Sequence, residues 1–389
     1  MPDKLTATGL AGLRDVAARH VGPDRVPGLV VLVACGEQVH VETLGTLSVG
    51  GPPVQRDTLF RIASITKPIT GAATLALIEE GLIGLHDPID TLLPELARPR
   101  VLTRPDGPLD DTVPAGRAIT TRDLLTFTFG FGMMTEMFMA PEPWPIMIAD
   151  NELRLGALGA PDPAGKPEPD LWMAAFGSLP LMAQPGERWM YNTGAHVLSV
   201  LLSRAAGQSF GEVLRSRVFE PLGMSDTAFW TSHQDRLATA YQWTAAGLTV
   251  ADPPDGAWSK PPAFEDGAAG LVSTVDDLYA FARMFLGGGA PVLAPESVAA
   301  MTVDQLTPGQ KAHGGLGLHF FDRQSWSYCQ AVQDTGAFGW DGGYGATWLV
   351  DPARDLVVIV ATQRLFDTPE PPSLHGEIQA AAYAALATS

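Results

Sequence analysis

The strand-like segments of this chain lie near its two ends, and most helical segments lie between them. Residues 28–45 read as two apolar strands around a glycine-containing turn, and residues 346–363 read as a second hairpin around an Asp-Pro turn. A further strand-like run occupies residues 315–321, and an alanine-rich helix is predicted over residues 374–386. Because strands need partners for their backbone groups, we expect both ends of the chain to build one antiparallel sheet.

The middle of the chain has mainly helical periodicity, with helices predicted from Thr66 and again from Ala195. The length of 389 residues fits one or two closely packed domains. The predicted fold class is therefore α+β: an antiparallel sheet flanked by helices, plus an inserted, mainly helical domain. We expect residues 1–81 and 267–389 to form the sheet domain and residues 82–266 the helical domain, with the active site between them.

The charge balance narrows the range of partners. The 43 acidic residues outnumber the 25 basic ones, which gives a formal net charge of −18. A field of that sign repels nucleic acids and anionic lipids, so we expect neither nucleic acid nor membrane partners. The same charge also serves solubility, and the sequence does not indicate an oligomeric state.

The cysteine and histidine patterns predict neither a disulfide framework nor a metal site. Cys35 and Cys329 are the two cysteines, and they lie far apart in the sequence, which fits a reducing compartment. The first 21 residues lack the basic and apolar regions of a signal peptide, and no stretch is long enough to span a bilayer. These features predict a cytoplasmic location, unless a leader was removed.

Ser64 and Lys67 form the S-x-x-K pattern that is the sharpest chemical signal in the chain. At a helix entrance, a spacing of three places the lysine ammonium beneath the serine hydroxyl on one face. A lysine can serve as a base once desolvation or a nearby positive charge lowers its pKa from about 10.4 toward neutrality. Serine and lysine three positions apart also occur often by chance, so the pattern needs support from other segments.

Two further segments could supply that support. Tyr191 lies in a loop before a predicted helix, where its phenol could relay a proton or could simply pack at an interface and cap the helix. The segment 339–345 contains Trp340 and four glycines before a predicted strand. Such a segment can bring a backbone N–H close to a substrate, or it can be an ordinary glycine-rich turn.

Together these segments resemble the serine β-lactamase and penicillin-binding protein superfamily, in particular the class C β-lactamase-like esterases called family VIII carboxylesterases. The likeness covers nearly the whole chain, and the order and spacing of the motifs agree with it. The matching segments are Phe60–Lys67 around the nucleophile, Leu124–Thr126, Phe219–Met224 and Gly270–Thr274.

The resemblance implies a β-lactamase-like fold with Ser64 as the acylated nucleophile, Lys67 as its general base and Tyr191 as the proton shuttle. It implies an oxyanion hole made by the N–H groups of Ser64 and Gly343. It also implies that neither a metal ion nor another cofactor is required.

The positions at which this sequence departs from the family pattern bear on which substrates it prefers. Trp340 stands where β-lactamases carry a lysine or histidine, and Asp341 and Gly342 complete this motif beside Gly343. Thr193 stands where the Y-x-N motif ends in asparagine, unless Asn192 takes that place through a shifted turn. We assign these residues to the oxyanion and substrate-binding region, and both departures favour uncharged substrates. The predicted activity is that of a serine carboxylesterase acting on small, short-acyl-chain esters.

Other hypotheses remain open at this point. β-Lactamase, amidase or acyltransferase activity on the same fold is one alternative, and a non-catalytic binding protein is another. Ser209 lies in a G-x-S-x-G pattern, but the segment before it is helical and not the strand that a nucleophile elbow requires. The methionines between Met133 and Met190 could line a pocket or fill the core. Arg364 could bind a substrate anion or be a solvated arginine.

Overall fold

In the computed structural model, which describes residues 3–387, seven strands form one sheet and six further strands form three small two-stranded sheets. The strands are β1 Gly28–Cys35, β2 Gln38–Gly45, β3 Phe60–Arg61, β4 Arg100–Leu102, β5 Thr112–Pro114, β6 Ala240–Thr244, β7 Gly247–Asp252, β8 Val272–Ser273, β9 Gln324–Trp326, β10 Ala331–Gln333, β11 Phe338–Gly342, β12 Ala346–Asp351 and β13 Leu356–Thr362.

The helices are α1 Ala7–Ala18, α2 Thr66–Glu79, α3 Thr121–Leu125, α4 Thr135–Met139, α5 Pro145–Glu152, α6 Pro169–Phe176, α7 Thr193–Ala206, α8 Phe210–Leu214, α9 Glu220–Leu222, α10 Val275–Leu286, α11 Pro295–Met301, α12 Pro308–Ala312 and α13 Ser373–Ala384. A π-helical turn, Arg215–Phe219, joins α8 to α9. No helix within residues 3–387 is long and apolar enough to cross a bilayer.

The main sheet joins the two ends of the chain, as the sequence predicts. Its order is β2-β1-β13-β12-β11-β10-β9, and the neighbouring strands are antiparallel. The amino-terminal strand β1 pairs with the late strand β13, with Leu32 opposite Ile359. Both predicted hairpins are present, and a short 3-10 turn, Pro352–Arg354, closes the second one. The α+β, β-lactamase-like prediction is confirmed.

The central strands are buried on both faces because helices cover each side of the sheet. Alternate residues of β1 point to opposite faces, so Leu32 lies in the main core and Val31 in a smaller outer core. The outer core also contains Leu13 of α1 and Ile378 of α13. Continuous apolar runs such as that of β1 are the pattern expected for a strand with two covered faces.

Helix α2 is buried from Thr66 to Leu77 and lies against α7 and the π-helical turn. A helix that is apolar around its whole circumference requires such a central position. Gly71 allows this packing, because a Cβ there would lie 2.8 Å from the carbonyl oxygen of Tyr328. The buried helix α2 therefore carries its amino-terminal residues into the interior of the molecule.

The strand predicted over residues 315–321 is wrong, because the structure has turns and bends there. Gly315 and Gly317 have φ angles of 121° and 152°, on the positive side that strands do not adopt. The strand in this part of the sheet is β9, which begins at Gln324. The division into domains at residues 81 and 266 stays a prediction, and the segment predicted to be mainly helical also contains the hairpin of β6 and β7.

Candidate active site

Ser64 lies in a short 3-10 turn, Ala63–Ile65, immediately before helix α2. The residue before it, Ala63, has a φ of 44°, which is in the left-handed region that is unfavourable for an alanine. Backbone strain of this kind persists only where the surrounding structure enforces it, and it is frequent at functional sites. Ala63 and Ile65 are buried while Ser64 is partly exposed and lines a cavity, so the turn presents the serine hydroxyl to that cavity.

Lys67 lies in the first turn of α2, and its side chain is completely buried. Its Nζ donates a hydrogen bond of 2.9 Å to Ser64 Oγ and another of 2.8 Å to the carbonyl oxygen of Ala268. Burial lowers the pKa of Lys67 to about 7, and the Lys166 ammonium also lowers this pKa, while Asp266 raises it. A substantial fraction of Lys67 is therefore neutral near pH 7 and can accept a proton from Ser64.

Tyr191 packs over Lys67, with the Lys67 Nζ 4.5 Å from the centre of the phenol ring. Its hydroxyl oxygen accepts a hydrogen bond of 2.7 Å from Nε1 of Trp340. Burial raises the pKa of Tyr191, and hydrogen bonding with Ser64 and Trp340 opposes this rise only in part. Tyr191 is thus a neutral phenol at neutral pH, able to give a proton and to regain one.

The backbone bends sharply at Asn192, directly after Tyr191. Asn192 has φ 86° and ψ −62°, and the N–H of Thr193 donates to the Tyr191 carbonyl at 3.2 Å, which forms a strained γ-turn. Asn192 lines the cavity, and its Nδ2 donates to the Ala157 carbonyl at 3.2 Å. The turn therefore makes Asn192, and not Thr193, the residue that faces the cavity.

Thr193, which the sequence assigns to the substrate-binding region, is not among the described residues that line the cavity. It is the first residue of α7, it is fully buried, and its Oγ1 donates to the Ala157 carbonyl at 3.0 Å. Thr193 and Asn192 thus donate to the same carbonyl oxygen, that of Ala157, and this shared acceptor ties the start of α7 to the segment around residue 157.

The glycine-rich segment brings strand β11 against the 3-10 turn that carries Ser64. A Cβ on Gly342 would lie 2.1 Å from the carbonyl oxygen of Ile62, so glycine is required for this approach. Gly343 follows the strand and lines the cavity, with open space where a Cβ would be. The N–H of Phe366 donates to the Gly343 carbonyl at 2.8 Å and helps to hold this peptide in place. Gly343 and Ser64 thus lie in the wall of one cavity, as an oxyanion hole requires.

Asp341 is held by a histidine that sequence patterns did not single out. The Nδ1 of His375 lies 3.0 Å from Asp341 Oδ1, and its Nε2 lies 3.2 Å from the Gly345 carbonyl oxygen. His375 belongs to the carboxyl-terminal helix α13. No spacing pattern joins positions 341 and 375, so only the packing of α13 beside the sheet reveals this contact.

A buried cluster of Lys166, His196 and Asp266 also lines the cavity and was missed from the sequence. Lys166 Nζ lies 2.5 Å from Asp266 Oδ2 and 3.1 Å from His196 Nε2. Burial lowers the pKa of His196 to about 4, so its neutral ring accepts from Lys166. The two basic residues hold the pKa of Asp266 well below its usual range despite its burial.

The cavity has a volume of about 550 Å³ and mostly apolar walls. Its apolar lining includes Met133, Leu158, Leu316, Phe320, Trp340 and Phe366.

Cationic groups that could bind a substrate anion are scarce in the cavity. Among the described residues that line it, Lys166 is the one lysine or arginine, and its charge is paired with Asp266. Arg364 does not line the cavity: it pairs with Asp367 and lies over the ring of Trp243. A substrate carboxylate would therefore find no unpaired lysine or arginine side chain among the described residues of the lining.

Of the remaining candidates from the sequence, Ser209 lies outside the cavity. Ser209 caps helix α8, where its Oγ accepts from the Glu212 N–H at 3.3 Å, and helix α7 precedes it. Most methionines of the middle segment fill the core, whereas Met133 lines the cavity. Within residues 3–387, no group of three or more His, Cys, Asp or Glu side chains is arranged to hold a metal ion.

Comparison with known proteins gives the same family as the motifs. The family model described as Beta-lactamase matches residues 13–383. Protein Rv1367c of Mycobacterium tuberculosis is 39% identical over 336 residues, which cover 82% of this chain and 80% of that protein. Esterase EstB of Burkholderia gladioli is 29% identical over 368 residues, which cover 88% of this chain and 87% of that esterase.

Among solved structures, EstCE1, described as a hydrolase with promiscuous acyltransferase activity, has a TM-score of 0.79 to this chain. The superposition covers 97% of this chain and 98% of that one at 24% sequence identity, so it supports the fold. The family match, the relationship to an esterase and the shared fold agree with one another. The chain is therefore a serine hydrolase that belongs to the Beta-lactamase family and has its fold.

Proposed function

We propose that this hydrolase is a carboxylesterase of the family VIII type, which cleaves small, uncharged carboxylic esters with short acyl chains through an acyl-enzyme on Ser64. The observation that carries the proposal is the 2.9 Å hydrogen bond between Lys67 Nζ and Ser64 Oγ, made by a lysine whose pKa is lowered to about 7. A base with a pKa near the working pH is the most effective proton acceptor.

In the acylation step, Ser64 Oγ attacks the ester carbonyl carbon while its proton passes to Lys67. The N–H groups of Ser64 and Gly343 stabilise the oxyanion that forms. When the bond to the leaving alcohol breaks, that alcohol takes the hydroxyl proton of Tyr191, and Tyr191 regains a proton from the Lys67 ammonium. Lys67 is neutral again at the end of this step.

In the deacylation step, a water molecule attacks the acyl carbon and gives its proton to the Tyr191 and Lys67 pair. Ser64 Oγ leaves the acid product and takes that proton back, which restores the starting state. The proton follows the path of the acylation step in reverse, so deacylation requires no additional catalytic group.

The preference for uncharged esters rests on the charges of the cavity. Trp340 contributes a neutral indole N–H, and this N–H is already directed to Tyr191. Lys166 is neutralised by Asp266, while the Asp341 carboxylate faces the cavity. An anionic substrate such as a penicillin would approach the Asp341 carboxylate and would find no unpaired lysine or arginine in the described lining, so it is expected to bind poorly.

Acyl transfer to an alcohol is a second activity that the cavity favours. Its apolar walls and volume of about 550 Å³ leave space for an acceptor alcohol beside a short acyl group on Ser64. An apolar alcohol that binds these walls competes with water for the acyl-enzyme. The measure of this activity is the ratio of new ester to free acid when alcohols of increasing size are added.

The test of the proposed function compares the wild type with Ser64→Ala and Ser209→Ala, using p-nitrophenyl acetate and nitrocefin in parallel. We expect ester turnover to disappear in Ser64→Ala and to persist in Ser209→Ala, with little hydrolysis of nitrocefin. Mass spectrometry of the trapped intermediate should place the acetyl group on Ser64. Fast nitrocefin hydrolysis would make the protein a β-lactamase, and the absence of acylation would favour a binding protein.

A further inference from the structure

The buried ion pair of Lys166 and Asp266 lines the cavity, although neither side chain takes part in the proposed reaction steps. The side chains of Lys166 and Asp266 are 1% and 3% exposed, and their charged atoms are 2.5 Å apart. Burying an ion pair carries a large desolvation penalty, and an apolar pair of similar volume is often as stable. Stability alone therefore does not explain why a buried ion pair occupies this place.

The pair is connected to the nucleophile through a short series of hydrogen bonds. Asp266 Oδ2 pairs with Lys166, while Asp266 Oδ1 accepts from the Ala268 N–H at 2.7 Å. The carbonyl oxygen of Ala268 then accepts from Lys67 Nζ at 2.8 Å, and Lys67 donates to Ser64 at 2.9 Å. Holding the Ala268 backbone at its N–H thus helps to orient its carbonyl, which is one of the acceptors that hold the Lys67 amine.

Neighbouring contacts make the segment around Ala268 rigid. The Gly267 N–H donates to Ser199 Oγ of helix α7 at 2.8 Å, and the Gly267 carbonyl accepts from Thr70 Oγ1 of helix α2 at 2.8 Å. The Gly270 N–H donates to the Asp266 carbonyl at 2.8 Å. The carboxylate of Asp266 is therefore one fixed point of a turn that both buried helices also hold.

We propose that the Lys166–Asp266 ion pair is a positioning device for Lys67, which acts through the Ala268 carbonyl and through the balance of charge around the Lys67 amine. The proposal rests on the proposed function, in which Lys67 is the base. It assigns Lys166 and Asp266 a role without contact with the reacting atoms, so both are positioning residues.

Several charged or titratable groups surround Lys67. Asp266 favours its ammonium form, whereas Lys166 disfavours it. The remaining groups, Cys329, His196 and Tyr191, also approach Lys67 from the elements packed against it. Removing Lys166 or Asp266 changes the electrostatic potential at the Lys67 amine. The two removals shift the Lys67 pKa in opposite directions.

The test is the pH dependence of kcat/KM for p-nitrophenyl acetate, because the neutral Lys67 of the free enzyme sets the acid limb of that profile. In Lys166→Met the unpaired Asp266 favours the ammonium, so we expect the midpoint of the acid limb to move up by roughly one pH unit. In Asp266→Asn the amide oxygen still accepts from Ala268, but the negative charge is gone, so we expect the midpoint to move down.

Two further variants distinguish an effect of charge on Lys67 from an effect on the position of the Ala268 carbonyl. Lys166→Arg keeps the charge and should keep the midpoint of the wild type. The double variant Lys166→Met/Asp266→Leu removes both charges together with the acceptor for the Ala268 N–H. It should have a midpoint near that of the wild type but a lower kcat, because the Ala268 carbonyl is no longer fixed. If Lys166→Met fails to fold, Asp266→Asn and Lys166→Arg decide the question.

Asp277→Asn is the matched control for the loss of a buried carboxylate. Asp277 accepts from Thr227 and from the Asp226 N–H, and it does not line the cavity. This control should lower thermal stability and leave the acid limb in place. Lys166→Met and Asp266→Asn variants that lose stability but keep the midpoint of the wild type would overturn the positioning role. An acid limb that survives in Lys67→Ala, or turnover that survives in Ser64→Ala, would instead overturn the proposed function.

Discussion

The indole Nε1 of Trp340 donates a hydrogen bond of 2.7 Å to the hydroxyl oxygen of Tyr191. The indole is held in place from one side by Trp326, whose ring lies 4.7 Å away at nearly a right angle. An N–H that points at the Tyr191 oxygen stabilises negative charge there as the phenol gives up its proton. A neutral side chain thus makes a polar contact with Tyr191 at the position where β-lactamases carry a cation.

Replacing Trp340 with phenylalanine should slow ester hydrolysis without unfolding the protein. The lost hydrogen bond is worth about 1–2 kcal/mol, which corresponds to roughly 5- to 30-fold in kcat. Steady-state kinetics with p-nitrophenyl acetate measure this effect. Trp230→Phe, at an exposed position outside the cavity, is the matched control and should retain the activity of the wild type. Equal kcat values for Trp340→Phe and the wild type would remove this hydrogen bond from the mechanism.

Replacing Gly342 with alanine should impair activity by pushing β11 away from the 3-10 turn that carries Ser64. The added Cβ would lie 2.1 Å from the Ile62 carbonyl oxygen, so one of the two backbones must move. A displacement of about 1 Å at the oxyanion hole can reduce kcat by about 100-fold. Gly376→Ala is the control, because its Cβ meets open space in helix α13. The kcat values and melting temperatures of both variants check the prediction, and a Gly342→Ala enzyme as active as the control would contradict it.

The buried Lys67 should reduce the stability of the protein in neutral solution. Its pKa is about 7 in the folded chain, compared with about 10.4 when unfolded, so between these values the unfolded state binds more protons. Stability therefore rises with pH across this range, by at most about 1.4 kcal/mol per pH unit from this group.

The measurement is the free energy of unfolding in urea for the wild type and Lys67→Met at several pH values above neutrality. The advantage of the variant over the wild type should be largest near pH 7 and shrink as the pH rises. Lys260→Met removes an exposed lysine and should show a difference that does not change with pH. A constant difference for Lys67→Met as well would mean that the Lys67 pKa is not lowered.

Because His196 is buried, we expect the folded protein to lose stability at acidic pH. Its pKa is lowered to about 4 in the folded state, against about 6.5 in the unfolded chain. Between these values the unfolded state binds the additional proton, so stability falls as the pH drops from about 6.5 to about 4. Melting temperatures across this window should fall less steeply in His196→Gln than in the wild type. His86→Gln, at an exposed position outside the cavity, should leave the slope unchanged.

Sequence patterns suffice for features that depend on near neighbours. The spacing of three between Ser64 and Lys67, where a 3-10 turn leads into helix α2, brings the two side chains into contact. The capping residue Thr274 marks the start of helix α10, and the turn after Asp351 closes the last hairpin. The apolar runs of β1 and β13 predict strands, and both strands are buried along their whole length. These local rules led to the α+β fold class and to Ser64 and Lys67 as candidates, whereas the proposed role of Ser64 as nucleophile also required the family resemblance.

Tertiary structure decided which distant side chains meet. Trp340 and Tyr191 are 149 positions apart, and Lys166 and Asp266 are 100 apart, so no periodicity connects them. Which of Asn192 and Thr193 lines the cavity depends on a strained turn at Asn192, and sequence patterns did not predict that turn. The physical reason is common to these cases. Hydrophobic patterns specify which faces are buried, whereas the partner of a buried polar group is chosen by packing and by the need to satisfy its charge and hydrogen bonds.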